Sequence, residues 1–140
     1  MFSLKHIILL SISIIFIVIS SIFSNKLKFK TILKIMLFTG IVSETLKVFT
    51  YIILNEAEYG GYLPKGDLPF HLCSIQIIFF IILNLTQNEK IKKLLIGFML
   101  PTCLVGGLAA LLIPTSSSLN VLTITIEYFG YHAMIVNFAI

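Results

Sequence analysis

Five apolar runs, each close to the length of a membrane-crossing helix, constrain this chain more than any other feature. They cover about 6–24, 31–54, 68–85, 94–113 and 120–140. A helix rises about 1.5 Å per residue, so roughly 20 residues cross the ~30 Å of hydrocarbon in a bilayer. Open strands are excluded, because their edges would leave backbone N–H and C=O groups without partners in lipid. The expected fold is all-α: a polytopic transmembrane helix bundle of five spans, one transmembrane domain over residues 1–140. Composition agrees, with 58% hydrophobic residues and a mean hydropathy of +1.05. A soluble domain of this size would show far more charge on its surface.

The charges lie between the runs and define a topology. Lys26, Lys28 and Lys30 follow the first run, and Lys90, Lys92 and Lys93 follow the third. The second loop sets Lys65 against Glu56, Glu58 and Asp67, and the fourth, "PTSSSLN", is uncharged. The positive-inside rule places the loops at 25–30 and 86–93 in the cytoplasm and the N-terminus outside, in a multi-pass cell-membrane protein. The first run reads as a true span and not a signal peptide. It has no small-residue cleavage site, and the lysines behind it oppose translocation. All ten basic residues are lysines, and with abundant isoleucine this matches an AT-rich bacterial genome. The net charge of +4 serves topology and does not point to nucleic acid. Cys73 and Cys103 lie at unlike depths, which does not suggest a disulfide framework. No pattern calls for a cofactor or a metal. The fifth run ends at Ile140 without a polar or basic flank. That ending suggests a bundle completed by further C-terminal helices or by another copy.

Ionisable groups inside spans are costly, so each is a functional candidate. Glu44 and Lys47 are three residues apart on one face of the second span, which suits an internal ion pair or the wall of a polar cavity. The third span opens with "DLPFHLCSIQ" (residues 67–76). Asp67 and Pro69 suit a helix start. His71 and Ser74 share one face, Cys73 and Gln76 another. His71 and Cys73 point apart, so a base for Cys73 has to come from another helix. The fifth span offers Glu127, Tyr128, Tyr131 and His132 in "EYFGYHAM". Tyr128 and His132 are i,i+4 neighbours, close enough to bond or pack. In the fourth span Gly106, Gly107, Ala109 and Ala110 form a small-residue face for close packing. Pro101 is expected to kink that span, and Cys103 to be a packing residue. Counting residues from the outer boundary places Cys73 ~8 Å deep and His132 ~18 Å deep.

"LPFHLCSIQ", "GGLAALLIP" and "EYFGYHAMI", in this order, resemble the YwaF-like bacterial integral membrane proteins, relatives of the eukaryotic transmembrane protein 164. The resemblance runs from the second span to the end. It implies a polytopic helical fold. The eukaryotic branch is described as an acyltransferase that moves acyl chains between phospholipids with a Cys/His pair. Carried over, the catalytic pair falls on Cys73 and His132, and His71 matches the motif histidine. His71, Gln76, Glu44, Glu127 and Tyr128 would form the supporting polar cavity. The chain departs from the pattern in two places. Two further spans are expected after the fifth, and "TSSS" follows Pro114 where an acidic residue is expected.

Three functions fit these residues. In the first, membrane lipid is the substrate: Cys73 attacks an ester and carries the acyl group as a thioester, with His132 as base and then acid. Gln76, Tyr128 or Ser74 would donate to the developing oxyanion. In the second, a non-enzymatic transporter or lipid-binding protein uses the same polar cavity without covalent chemistry. In the third, the polar residues only hold helices together in an assembly subunit.

Overall fold

The computed structural model describes residues 3–54, 72–114 and 122–140. Among these it contains five helices and no strand. They are α1 (Leu4–Ser24), α2 (Phe29–Phe49), α3 (Leu72–Leu85), α4 (Glu89–Leu112) and α5 (Leu122–Ala139), with a short π-helical turn, Thr50–Leu54, continuing α2. The expected starts of the third and fifth spans, including Asp67, Pro69 and His71, lie outside the described residues.

Local chemistry explains the helix boundaries. Ser3 caps α1 by accepting from His6 N–H at 3.2 Å. α4 begins five residues before the apolar run it contains, because Asn88 accepts from the Lys90 and Ile91 amides at 2.9 and 3.4 Å. That cap satisfies donors that would otherwise be orphaned at the helix start. Lys92 then bonds Glu89 at 2.7 Å across the first turn. The lysines at 90–93 therefore sit on a helical extension and not in a loop. α4 continues through Pro101 without a break.

α5 is the centre of the bundle. Half of its 18 residues are buried, and it packs against α4, α2 and α1, while α3 packs between α2 and α4. One core joins Leu33, Met36, Phe80, Met99, Ile135 and Phe138 from four helices. A second joins Ile17, Leu111, Phe129, Ala133 and Val136, seating α1 against α4 and α5. Two glycines permit the closest approaches. A Cβ on Gly40 would lie 2.9 Å from Ile77 of α3, and one on Gly107 would lie 2.5 Å from Val136 and 3.2 Å from the His132 carbonyl of α5. Small residues at such contacts let helix backbones approach, which is the main source of association in lipid.

The outer surface is apolar. On α1 only His6, Ser13 and Ile17 are buried, and Ile8, Ile12, Ile15, Ile19 and Ile22 are exposed. A helix apolar on every side, with most of that surface outward, is suited to lipid and not to water. By length and composition α1 and α4 can each cross a bilayer, and the described part of α3 is apolar but shorter.

Candidate functional site

The polar side chains of α2, α3 and α5 meet in two sets of contacts that start from adjacent residues of α2, Ser43 and Glu44. Lys47 Nζ lies 2.6 Å from Glu44 Oε1, the pairing that their three-residue spacing allows. The Ser74 hydroxyl of α3 donates to Glu44 Oε2 at 3.2 Å. One residue earlier on α2, the Ser43 hydroxyl donates to the Glu127 carboxylate of α5. Consecutive helical residues point about 100° apart. That angle is why Ser43 and Glu44 bind different helices. α2 is thereby tied to both α3 and α5 by carboxylates. In a dry interior such groups stay only where they are paired.

Cys73 is half-buried and its thiol is free. Its carbonyl accepts a hydrogen bond from the Tyr131 hydroxyl at 2.9 Å, linking α3 to α5. His132 is 8% exposed, and its Nδ1 lies 2.6 Å from the Tyr128 carbonyl. A carbonyl only accepts, so Nδ1 carries the proton, and in the neutral ring Nε2 is the basic nitrogen. The ring is further held by Tyr128, 4.4 Å away between centroids and tilted by 43°.

Cys73 and His132 both have an atom beside the paired glycines of α4. A Cβ on Gly106 would sit 4.0 Å from Cys73 Sγ, and one on the next residue, Gly107, 3.2 Å from the His132 carbonyl. Adjacent residues differ in height by about 1.5 Å. The Cys73 thiol and the His132 backbone carbonyl therefore pack against neighbouring residues of α4.

The other sequence candidates have definite partners. The Tyr128 hydroxyl donates to the Ala110 carbonyl at 3.0 Å, fastening α5 to α4. The Ser74 hydroxyl is committed to Glu44. Gln76 is fully buried and its Nε2 donates to Thr102 of α4 at 2.8 Å. Its amide oxygen has no donor among the described residues. Cys103 is fully buried in the main apolar core. His71 lies outside the described residues.

Beside this network a groove of about 610 Å³ runs along the α2–α3 contact. Ile41, Val48, Phe49, Ile52 and Ile78 line it, and Glu44 and Ser74 are among its few polar members. Its isoleucines are largely exposed, so it faces the surroundings of the bundle. The volume falls in the range of small-molecule sites. The chemistry is that of an alkyl slot with one carboxylate-hydroxyl pair in its wall.

Three contacts escaped sequence reasoning. His6 is fully buried, and its Nε2 donates to the Leu111 carbonyl at 2.9 Å, pinning α1 to the end of α4. Asn84 Nδ2 donates to the Leu33 carbonyl of α2 at 3.2 Å. Ser43 binds Glu127. Only His6 and Glu127 carried a signal, as ionisable residues in apolar runs; their partners carried none.

Among the described residues no three His, Cys, Asp or Glu side chains converge as metal ligands. A family model described as the TMEM164 family matches residues 1–140. No curated protein and no solved structure matches the chain.

Proposed function

The chain belongs to the TMEM164 family, and from that premise we propose that it is a membrane-embedded acyltransferase acting on phospholipids through Cys73 and His132. The observation that supports this reading is that the Cys73 thiol and the His132 backbone pack at adjacent glycines of α4, Gly106 and Gly107. The bonded Nδ1 of His132 supports it as well, because that bond sets the tautomer in which Nε2 is the basic ring nitrogen. The sequence motifs favour the YwaF-like bacterial branch, with the N-terminus outside and the lysine-bearing ends in the cytoplasm.

The reaction has two balanced halves. The Cys73 sulfur attacks the ester carbonyl of a phospholipid, its thiol proton passing to His132 Nε2. The C–S bond forms, the C–O bond to glycerol breaks, and the proton goes from His132 to the departing glycerol oxygen. A lysophospholipid hydroxyl then attacks the thioester, giving its proton to His132, and the C–S bond breaks to restore the Cys73 thiol. A positioned acid-base histidine is worth about 10²–10⁴-fold in such steps. The alkyl groove beside Glu44 and Ser74 would hold the acyl chain. Glu44 and Glu127 act in this scheme by holding α2, α3 and α5 in register, and Gln76 by holding α3 to α4. Tyr128 holds the His132 ring.

The groove also fits a second reading, a lipid-binding or transport protein that uses the same alkyl slot without a covalent step. One experiment separates the two. The full-length protein is reconstituted with a phospholipid carrying a labelled acyl chain and an unlabelled lysophospholipid. Label should move to the lysophospholipid, and a hydroxylamine-labile acyl group should be trapped on Cys73. Cys103→Ala should transfer normally. If Cys73→Ala transfers label as fast as an active parent, transfer through Cys73 is wrong; if the parent binds the lipid but moves no label, the binding reading takes its place.

A further inference from the structure

A second pocket lies at the other end of the bundle, far from the Cys73 network in sequence and chemistry. It has a volume of about 470 Å³ and is enclosed by the start of α2, the end of α3 with its connector, and the first turns of α4. Its polar wall carries Lys30, Lys92 and Lys93 against a single carboxylate, Glu89. Glu89 is already bonded to Lys92 at 2.7 Å. Among the described residues Lys30 and Lys93 form no ion pair, so the pocket keeps an uncompensated positive charge. Its apolar wall carries Phe29, Leu33, Leu83 and Ile96.

We propose that this pocket binds the phosphate headgroup of an anionic phospholipid, with Lys30 and Lys93 on the phosphate and the acyl chains running down the apolar wall. Charge complementarity selects an anion. The position selects a lipid over a free ion, because the lysines stand where the apolar helices end, the level at which bilayer phosphates lie. Exposed apolar residues continue from the pocket along the bundle, Phe29 and Leu85 at its rim and Leu94 on the next turn of α4. They provide the path an alkyl chain would follow. The polar wall is rigid for the same reason α4 starts early. The Asn88 cap and the Asn84 bond to the Leu33 carbonyl hold the three segments together. Basic pockets between transmembrane helices are suited to anionic headgroups, each lysine near such a surface strengthening binding severalfold.

The test is native mass spectrometry of the full chain with phosphatidylglycerol or phosphatidylcholine added singly. Tight, saturable binding of one phosphatidylglycerol, with phosphatidylcholine much weaker, is expected. Lys30→Gln/Lys93→Gln should weaken phosphatidylglycerol about tenfold or more. Lys30→Arg/Lys93→Arg should restore it. Lys26→Gln/Lys28→Gln removes the same charge at the same end but outside the pocket, and should leave binding unchanged. Equal binding of the two lipids by the parent protein would overturn the proposal. So would an equal loss in the Lys26/Lys28 variant, which would mean diffuse surface attraction. Displacement of the lipid by equimolar inorganic phosphate would instead make the pocket a free-anion site. If the glutamine variant fails to fold, the parent's lipid preference and the Lys26/Lys28 variant still decide.

Discussion

The Tyr131 hydroxyl donates to the Cys73 carbonyl at 2.9 Å, one helix reaching across to hold the backbone of the other at the residue with the half-buried thiol. Tyr131 is itself 6% exposed and belongs to the main core, so its ring is fixed and the bond positions Cys73 more than it stabilises the bundle. An interhelical hydrogen bond in a membrane protein is worth only about 0.6 kcal/mol on average.

Tyr131→Phe should therefore cost less than ~1 kcal/mol in unfolding but lower acyl transfer with KM nearly unchanged. A shift of ~1 Å at a reacting atom can cost about 10²-fold in rate. Transfer rates well below the melting temperature check this. Unchanged kcat would mean the bond is structural only.

Gly107 and Gly97 should respond with opposite sign to alanine. At Gly107 the new methyl meets Val136 and the His132 backbone carbonyl, which cannot rotate away. Overpacking costs about 1–3 kcal/mol, enough to outweigh ~1 kcal/mol of helix propensity. At Gly97 nothing lies within 4 Å, so propensity alone acts and Gly97→Ala should be neutral or stabilising. Thermal unfolding in a fixed detergent reads both. Two shifts of the same sign would contradict the α4–α5 contact.

Glu44→Gln should destabilise more than removing the whole ion pair. It leaves the Lys47 ammonium, whose side chain is 11% exposed, without its counter-charge, and breaking a buried pair costs about 3–5 kcal/mol. Glu44→Gln/Lys47→Met removes both charges and should recover most of that loss. The pair of melting temperatures is the measurement. A double variant no better than the single one would show that the charges are not what couples them.

Gln76→Met should hold or raise stability. It loses one bond to Thr102, worth about 0.6 kcal/mol in this setting. It also removes a buried amide oxygen that has no donor among the described residues, a cost of about 1–3 kcal/mol. Thr102 keeps its own bond to the Phe98 carbonyl at 2.8 Å. A fall of more than ~2 kcal/mol in unfolding free energy would mean the amide oxygen is satisfied in the protein as it exists in lipid.

What the sequence determined by itself is everything set within one helix. Run length and the exclusion of unpaired backbone from lipid gave an all-helical bundle. Three-residue spacing gave the Glu44–Lys47 pair. The i,i+4 relation gave the Tyr128–His132 contact, though through the Tyr128 carbonyl and not its hydroxyl. The glycine and alanine face of the fourth span pointed to close packing, and Gly107 provides it. Tertiary structure alone decided which helix is central, since α5 carries no strong one-sided pattern when it is buried by three neighbours. It alone decided that Ser43 meets Glu127, that Asn84 meets the Leu33 carbonyl, and that the Cys73 thiol and the His132 backbone pack at adjacent glycines of α4. The physical reason is that rise and angle along a helix are fixed by its backbone. The register between two helices is fixed by where their side chains let them touch, and that is written in both partners at once.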